Sequence, residues 1–397
     1  MVMHSHPSLD SERRAKLVAR FEAQARFCIS SSPLYHLLFA QLGRRLAEDD
    51  AFAGWLLAAS AGRASFDVPL LLLAALHQAV LSQSPETREL AAWYAGVGGR
   101  ADTSEPGFNQ ALAQSVDALG PELATFIADR PVQTNEAARG LCWLLPACYT
   151  GWEAVHLVEL GASAGLNLVA DKRCYALTAA SEPGGGRHLF GRGREVAFEV
   201  QGEGAFVPPA PPASAAGPHI ISRTGCDLAP IQLNTEAERR YLAAFVWADQ
   251  IDRMRTLNQA IDTLLQTNAT DTPVNLQACR LPQELPDFLQ ALPRLAAPCI
   301  LFNSYLNAYL PDKGETMQAH IARWALAQEQ PVLWLQWEHL RSSDTGDKPP
   351  AFGWLGWTAQ LWHHGRHQSR HLAWVHPHGS RIAWLPGIFS WREYCSR

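Results

Sequence analysis

The feature that most constrains this chain is a change of hydrophobic period at Val155. Before it, from Ser11 to about Trp152, apolar residues recur at helical spacing, as in ERRAKLVARFEAQARFCI, PLYHLLFAQLGRRL and FNQALAQSVDAL, and no alternating strand pattern occurs. At Val155 the short apolar run VHLVEL leads straight into GASAGLNL, which reads as strand, turn and helix. Downstream, VAFEV and HIISRTGCDL read as strands separated by the loop PPAPPASAAGP, followed by one long amphipathic helix over residues 236–265. Then come VNLQAC, a helix near 286–292, the apolar run CILFNSYL, a helix over 316–328 and the strand PVLWLQWEHL. HLAWVHPHG and RIAWLPG close the chain as an antiparallel pair. This alternation predicts an α/β fold: an open, mostly parallel sheet with helices on both faces, preceded by an all-helical domain, with the division at 1–152 and 153–397.

Composition narrows the partners. At 397 residues the chain exceeds what one core usually serves, and 47% hydrophobic with 18% charged residues marks a folded globular protein. A net charge of -5 gives no general attraction to nucleic acid. The longest apolar stretch, VPLLLLAALHQAVL, is too short to span a bilayer comfortably, so a buried helix is expected there. Eight cysteines lie scattered without a C-x-x-C pair, and the polar N-terminus lacks a secretory run, which together point to reduced thiols and a cytoplasmic protein. The partner expected is a small molecule rather than nucleic acid or membrane.

The turn after the first strand offers Glu159 at the strand end, then Gly161, Ala162, Ser163 and Gly165. Glycine lets the backbone turn sharply and approach a ligand, and the start of the next helix supplies free N–H groups. A carboxylate at a strand's carboxyl end lies where open sheets bind ligands, and it can receive an ammonium group. Asp227, ending HIISRTGCDL, is placed to accept hydrogen bonds from ribose hydroxyls, although it stands much farther along than the roughly 20 residues usual for that role, so the first crossover must carry an insertion. Plainer readings stand beside these: a turn that only joins strand to helix, and an Asp that only caps a turn before Pro230. The same letters also spell G-x-S-x-G, the nucleophile elbow of α/β-hydrolases, with Ser163 as nucleophile and Asp312 and His376 as partners by position alone. That reading lacks the strands and oxyanion loop that normally precede an elbow.

Further candidates flank the turn. In QTNE, Thr134 can cap a helix and Glu136 can face its dipole, which leaves Gln133, Asn135 and Arg139 for a ligand. FNSYLNAYL presents Asn303, Ser304 and Tyr305 at a strand end, with Tyr305 either positioning a nucleophile or packing at an interface. Ser32 before Pro33 reads as a helix cap. His367 and His371 invite a metal, but the neighbouring Arg366 and Arg370 repel a cation, so solvated hairpin residues are expected and no metal.

Taken together, RPVQTNEAAR, VELGASAGLNL, GCDLAP, FVWADQIDRMRTL and FNSYLNAYL resemble an uncharacterised bacterial family, the domain of unknown function 2332, over most of the chain. That family is similar to the class I S-adenosylmethionine-dependent methyltransferases, which have a Rossmann-like sheet. The resemblance implies S-adenosylmethionine as cofactor, held by Glu159, Gly161, Ala162, Ser163, Gly165 and Asn167 at the methionine end and by Asp227 at the ribose. Gln133, Asn135 and Arg139 join the binding set, and Asn303 and Tyr305 stand on the acceptor side. Where such enzymes often carry an acid near the adenine, this chain has Gln277, Ala278, Cys279 and Arg280. The expected reaction is methyl transfer to a small-molecule O, N or S nucleophile. The alternatives are a non-catalytic nucleoside-binding or regulatory protein, and a hydrolase using Ser163.

Overall fold

The computed structural model describes residues 7–133, 136–179, 186–204, 217–340, 347–386 and 391–396. The chain divides into two compact units, one formed by Met1–Asn135 with Leu233–Arg255, the other by Glu136–Gln232 with Thr256–Arg397.

The first unit carries only helices among its described residues: α1 (Pro7–Cys28), α2 (Pro33–Glu48), α3 (Asp50–Ala59), α4 (Val68–Leu81), α5 (Phe108–Ala118) and α6 (Gly120–Asp129), with short 3-10 turns between them. Their starts follow from local chemistry. Ser32 caps α2 by accepting from the Tyr35 N–H at 3.1 Å, with Pro33 in the first turn, and Asp49 caps α3 through the Phe52 N–H at 3.0 Å. The apolar run at 68–81 is α4, buried along nearly its whole circumference, and among the described residues no helix is long and apolar enough to cross a membrane.

The segment 233–255 departs from the sequence expectation. Instead of one helix over 236–265 there are two, Glu236–Ala243 and Ile251–Asn268. The first starts at a capping box in which Thr235 and Glu238 satisfy each other's backbone N–H. The break between them is enforced by tertiary contacts. Trp247 stacks on Tyr35 at 5.3 Å, and Asp249 accepts the Ser32 hydroxyl at 2.6 Å and the Leu34 N–H at 3.2 Å. A stacked Trp and a carboxylate spent on another helix's start outweigh helical periodicity.

The second unit is built on a large, open, mostly parallel sheet. Its strands are β1 (Ala154–Leu160), β2 (Cys174–Ala179), β3 (Arg187–Phe190), β4 (Val196–Glu203), β5 (His219–Asp227), β6 (Val274–Ala278), β7 (Cys299–Ser304), β8 (Val332–Glu338), β9 (Leu355–His363), β10 (Arg366–Val375) and β11 (Arg381–Trp384). They lie in the order β3-β2-β4-β11-β10-β9-β8-β7-β1-β5-β6. The block β6-β5-β1-β7-β8 is parallel throughout, and β8, β9, β10 and β11 form an antiparallel meander. β10 and β11 are the antiparallel pair expected from the sequence. β9 and β10 are joined by His364 and Gly365, both at positive φ, 50° and 72°, the two-residue turn that matches strand twist.

α7 (Leu141–Cys148) explains how so wide a sheet is filled. All eight of its residues are buried, and it packs against β7, β8 and β3. Pro146 removes the N–H that would bond the Cys142 carbonyl, and Trp357 of β9 donates its Nε1 to that carbonyl at 3.2 Å. The crossovers of the parallel block carry α8 (Glu236–Ala243) and α9 (Ile251–Asn268) from β5 to β6, α10 (Leu285–Ala291) from β6 to β7, and α11 (Glu315–Leu326) from β7 to β8.

After β1 the expected helix is replaced by a 3-10 segment, Leu166–Lys172, and then by β2, β3 and β4. A buried ion pair holds the end of this segment: Asp171 receives both terminal nitrogens of Arg223 on β5 at 2.7 and 2.8 Å. The insertion expected in the first crossover is therefore present and contains three strands, of which only β4 was legible.

Candidate ligand site at the strand ends

β1 is paired on both sides by parallel strands, β5 and β7, so its residues are buried on both faces. Beyond Leu160 the chain turns at Gly161, Ser163 and Gly165, with φ of 75°, 50° and 75°. The turn is tied to the end of β5: Gly161 and Ala162 donate their N–H groups to the Cys226 carbonyl at 2.8 and 2.9 Å, and Ser163 N–H donates to Asp227 Oδ2 at 2.8 Å. Asp227 Oδ1 accepts the Ala229 N–H at 3.0 Å. Asp227 thus closes the turn, and each of its oxygens keeps a lone pair. The glycines are also required by packing. A Cβ on Gly161 would stand 3.0 Å from Leu306, and one on Gly165 3.0 Å from Val274. The group that approaches Gly161 here is the Leu306 side chain.

Glu159 lies beneath this turn, 2% exposed. Asn167 hydrogen-bonds its carboxyl group, yet Glu159 Oε2 and Asn167 Oδ1, both enclosed, have no hydrogen-bond partner. Burial pushes the Glu159 pKa well above the usual carboxylate range, with Asp227 adding to the rise and Asn167 and Arg173 opposing it. The turn thus encloses two acceptor oxygens without hydrogen-bond partners.

A second buried acid, Glu338, ends β8. Its Oε1 accepts Asn303 Nδ2 at 2.6 Å and the Leu306 N–H at 2.8 Å, and its Oε2 accepts the Asn307 N–H at 3.1 Å. Asn303, fully buried, accepts Trp334 Nε1 at 2.7 Å. Burial raises the Glu338 pKa to about 7, against those hydrogen bonds and Arg139, which lower it. This relay fixes the bend after β7, where Tyr305 has φ of 59°, a strained value for a bulky residue. Sequence reasoning passed over Glu338, although its signal is the one that marked Glu159: a lone acid at the end of a buried strand.

Tyr305 and Arg139 are brought together. The Arg139 guanidinium lies 5.0 Å from the Tyr305 ring centre, and the His339 ring meets that ring edge-on at 5.0 Å. Arg139 is buried, donates Nε to the Pro377 carbonyl at 2.9 Å, and has its pKa lowered by burial, with Glu136 opposing. Glu136 itself meets His378 Nδ1 at 3.0 Å. Gln133 is buried in the other compact unit, and Asn135 lies outside the described residues. Among the described residues no three His, Cys, Asp or Glu side chains gather as a metal site.

Fold and site define an α/β protein with a five-strand parallel block and a Gly-rich turn next to a buried acid. The chain belongs to a family described as uncharacterised protein conserved in bacteria (domain of unknown function 2332), which matches residues 18–384. No curated protein and no solved structure matches the chain.

Proposed function

We propose that the chain binds S-adenosylmethionine at the carboxyl ends of β1 and β5 and transfers its methyl group to a small-molecule O, N or S nucleophile. The observation that carries this reading is the enclosed acceptor pair, Glu159 Oε2 and Asn167 Oδ1, beside a left-handed Gly turn at the end of the parallel block's first strand. An ammonium group has donors for both. The order of the block supports it: counted along the chain, its strands lie third, second, first, fourth, fifth, so the order reverses between β1 and β7, where Rossmann-like sheets, including those of class I methyltransferases, hold nucleosides.

The residues divide the work. Glu159 and Asn167 receive the ammonium, and the spare lone pairs of Asp227 receive the ribose hydroxyls. Tyr305, held by the Glu338 relay and stacked under Arg139, faces the acceptor. Bound there, S-adenosylmethionine would supply a methyl group activated by its sulfonium, leaving as S-adenosylhomocysteine while the acceptor's proton would pass to solvent. The acceleration comes mainly from alignment, so no strong general base is required.

Calorimetry with S-adenosylmethionine and S-adenosylhomocysteine tests the reading: both bind, and Glu159→Ala weakens them by about 1 to 3 kcal/mol. No heat with either at millimolar ligand removes it. A radiolabelled methyl assay separates a transferase from a nucleoside-binding regulator, and covalent labelling of Ser163 by a fluorophosphonate would favour a hydrolase instead.

A further inference from the structure

Among the described residues of the second unit, Arg173 is a buried cation that makes no ion pair, its charge acting on Glu159 only at longer range. It is 4% exposed, and its Nε and Nη1 have no hydrogen-bond partner. Its Nη2 donates to the Leu166 carbonyl at 2.9 Å, and the guanidinium lies 5.5 Å from the Phe198 ring centre and 5.9 Å from that of Tyr175. Among the described residues no carboxylate comes within ion-pair distance of it. The contrast with Arg223 is direct, since Arg223 is equally buried but has Asp171 on both terminal nitrogens. A buried cation whose contacts are one carbonyl, the Tyr175 hydroxyl and two rings is costly unless something neutralises it.

Arg173 caps the end of the 3-10 segment that continues from the turn after Glu159. Leu166, whose carbonyl holds the guanidinium, directly precedes Asn167, whose side chain holds the Glu159 carboxyl group. Gly140 lets the chain pack closely on this group, since a Cβ there would stand 2.5 Å from Ala170, 2.9 Å from the Tyr175 hydroxyl and 3.1 Å from Arg173 Nη2. A buried cation without an ion pair thus follows the 3-10 segment, and a buried acid with one bare oxygen precedes it at the end of β1. A ligand bearing both ammonium and carboxylate satisfies the two at once.

We propose that Arg173 is the receptor for the α-carboxylate of the bound amino-acid tail, so that Glu159 and Arg173 together recognise an α-amino-acid zwitterion. This rests on the reading of the site as a sulfonium-nucleoside site and adds the group that selects the tail. Arg173 then discriminates between tails that differ only in the carboxylate.

The test compares three ligands on the full chain by calorimetry: S-adenosylhomocysteine, its decarboxylated analogue, and S-methyl-5′-thioadenosine, which lacks the tail. The wild type should prefer S-adenosylhomocysteine to the decarboxylated analogue roughly tenfold or more, as expected for a charged hydrogen bond. Arg173→Met should abolish that preference while binding the decarboxylated analogue as before, and Arg173→Lys should restore part of it. A wild type that binds all three equally, or an Arg173→Met protein that keeps the preference, overturns the assignment while the nucleoside reading stands. A wild type that binds none of the three overturns both. Should Arg173→Met fail to fold, the wild-type preference and the Arg173→Lys protein still decide.

Discussion

Two buried acids end strands on either side of β7, and they are spent differently. Glu338 on β8 accepts three hydrogen bonds, from Asn303, Leu306 and Asn307, and has no acceptor oxygen bare. Glu159 on β1 keeps Oε2 without a partner beside an equally bare Asn167 oxygen. A satisfied buried carboxylate holds structure, whereas an unsatisfied one carries a cost that a ligand can relieve. On the proposed reading the pair separates scaffold from receptor at one end of the parallel block.

The sharpest way to break this contrast is Glu338→Ala. It strands two backbone N–H groups and the Asn303 amide, so urea unfolding should show a loss of about 3 to 5 kcal/mol. A loss below about 1 kcal/mol would make Glu338 no more structural than Glu159.

The next largest effect is in pH. Because burial raises the Glu338 pKa to about 7 from the ordinary 4.5, the folded state binds more protons than the unfolded one between those values. Stability is then greatest below about pH 4.5 as far as this group is concerned, falls as pH rises, and levels off above pH 7 after a loss of about 3 kcal/mol. Glu159, raised in the same direction, adds to the fall. Unfolding measured at pH 5 and pH 8 should show the decline, and Glu338→Gln should flatten it. A rise in stability from pH 5 to pH 8 that Glu338→Gln leaves unchanged would contradict it.

How much of this was legible differs between the two ends. The β1 end announced itself because an apolar run, an acid and a Gly-rich turn are contiguous in sequence, and the strands of the parallel block were found for the same reason. The β8 end did not, because its meaning depends on partners from β7, some thirty residues earlier, that only the sheet register brings alongside. β2, β3 and β9 escaped for related reasons. β2 follows a turn that promises a helix but leads into a 3-10 segment whose end the Asp171–Arg223 ion pair holds, and β9 is buried on both faces and shows no alternation. Asn303 was named for the acceptor side, and its side chain is enclosed by Trp334 and Glu338.

Gly161→Ala probes the turn at smaller cost. The φ of 75° and the approach of Leu306 to 3.0 Å both oppose a Cβ, so a stability loss of about 1 to 2 kcal/mol is expected. Ligand binding should fall as well, since the turn carries the Ser163 N–H that positions Asp227. Normal stability and normal binding would mean that the backbone accommodates the methyl and that neither φ nor space is limiting.

The smallest effect on stability is the most telling. Glu159→Gln keeps the side-chain volume and can still meet Asn167, while it removes an acid whose charged form burial disfavours. Its unfolding free energy at pH 8 should match the wild type within about 0.5 kcal/mol or exceed it, because the Asn167 contact can be kept and no ion pair is broken. S-adenosylhomocysteine binding should nevertheless fall, since a neutral amide cannot neutralise an ammonium group. A protein destabilised as strongly as Glu338→Ala would show Glu159 to be scaffold, and one that binds undiminished would show that the bare oxygen receives nothing. Only stability kept together with binding lost fits a strand end built to receive a cation.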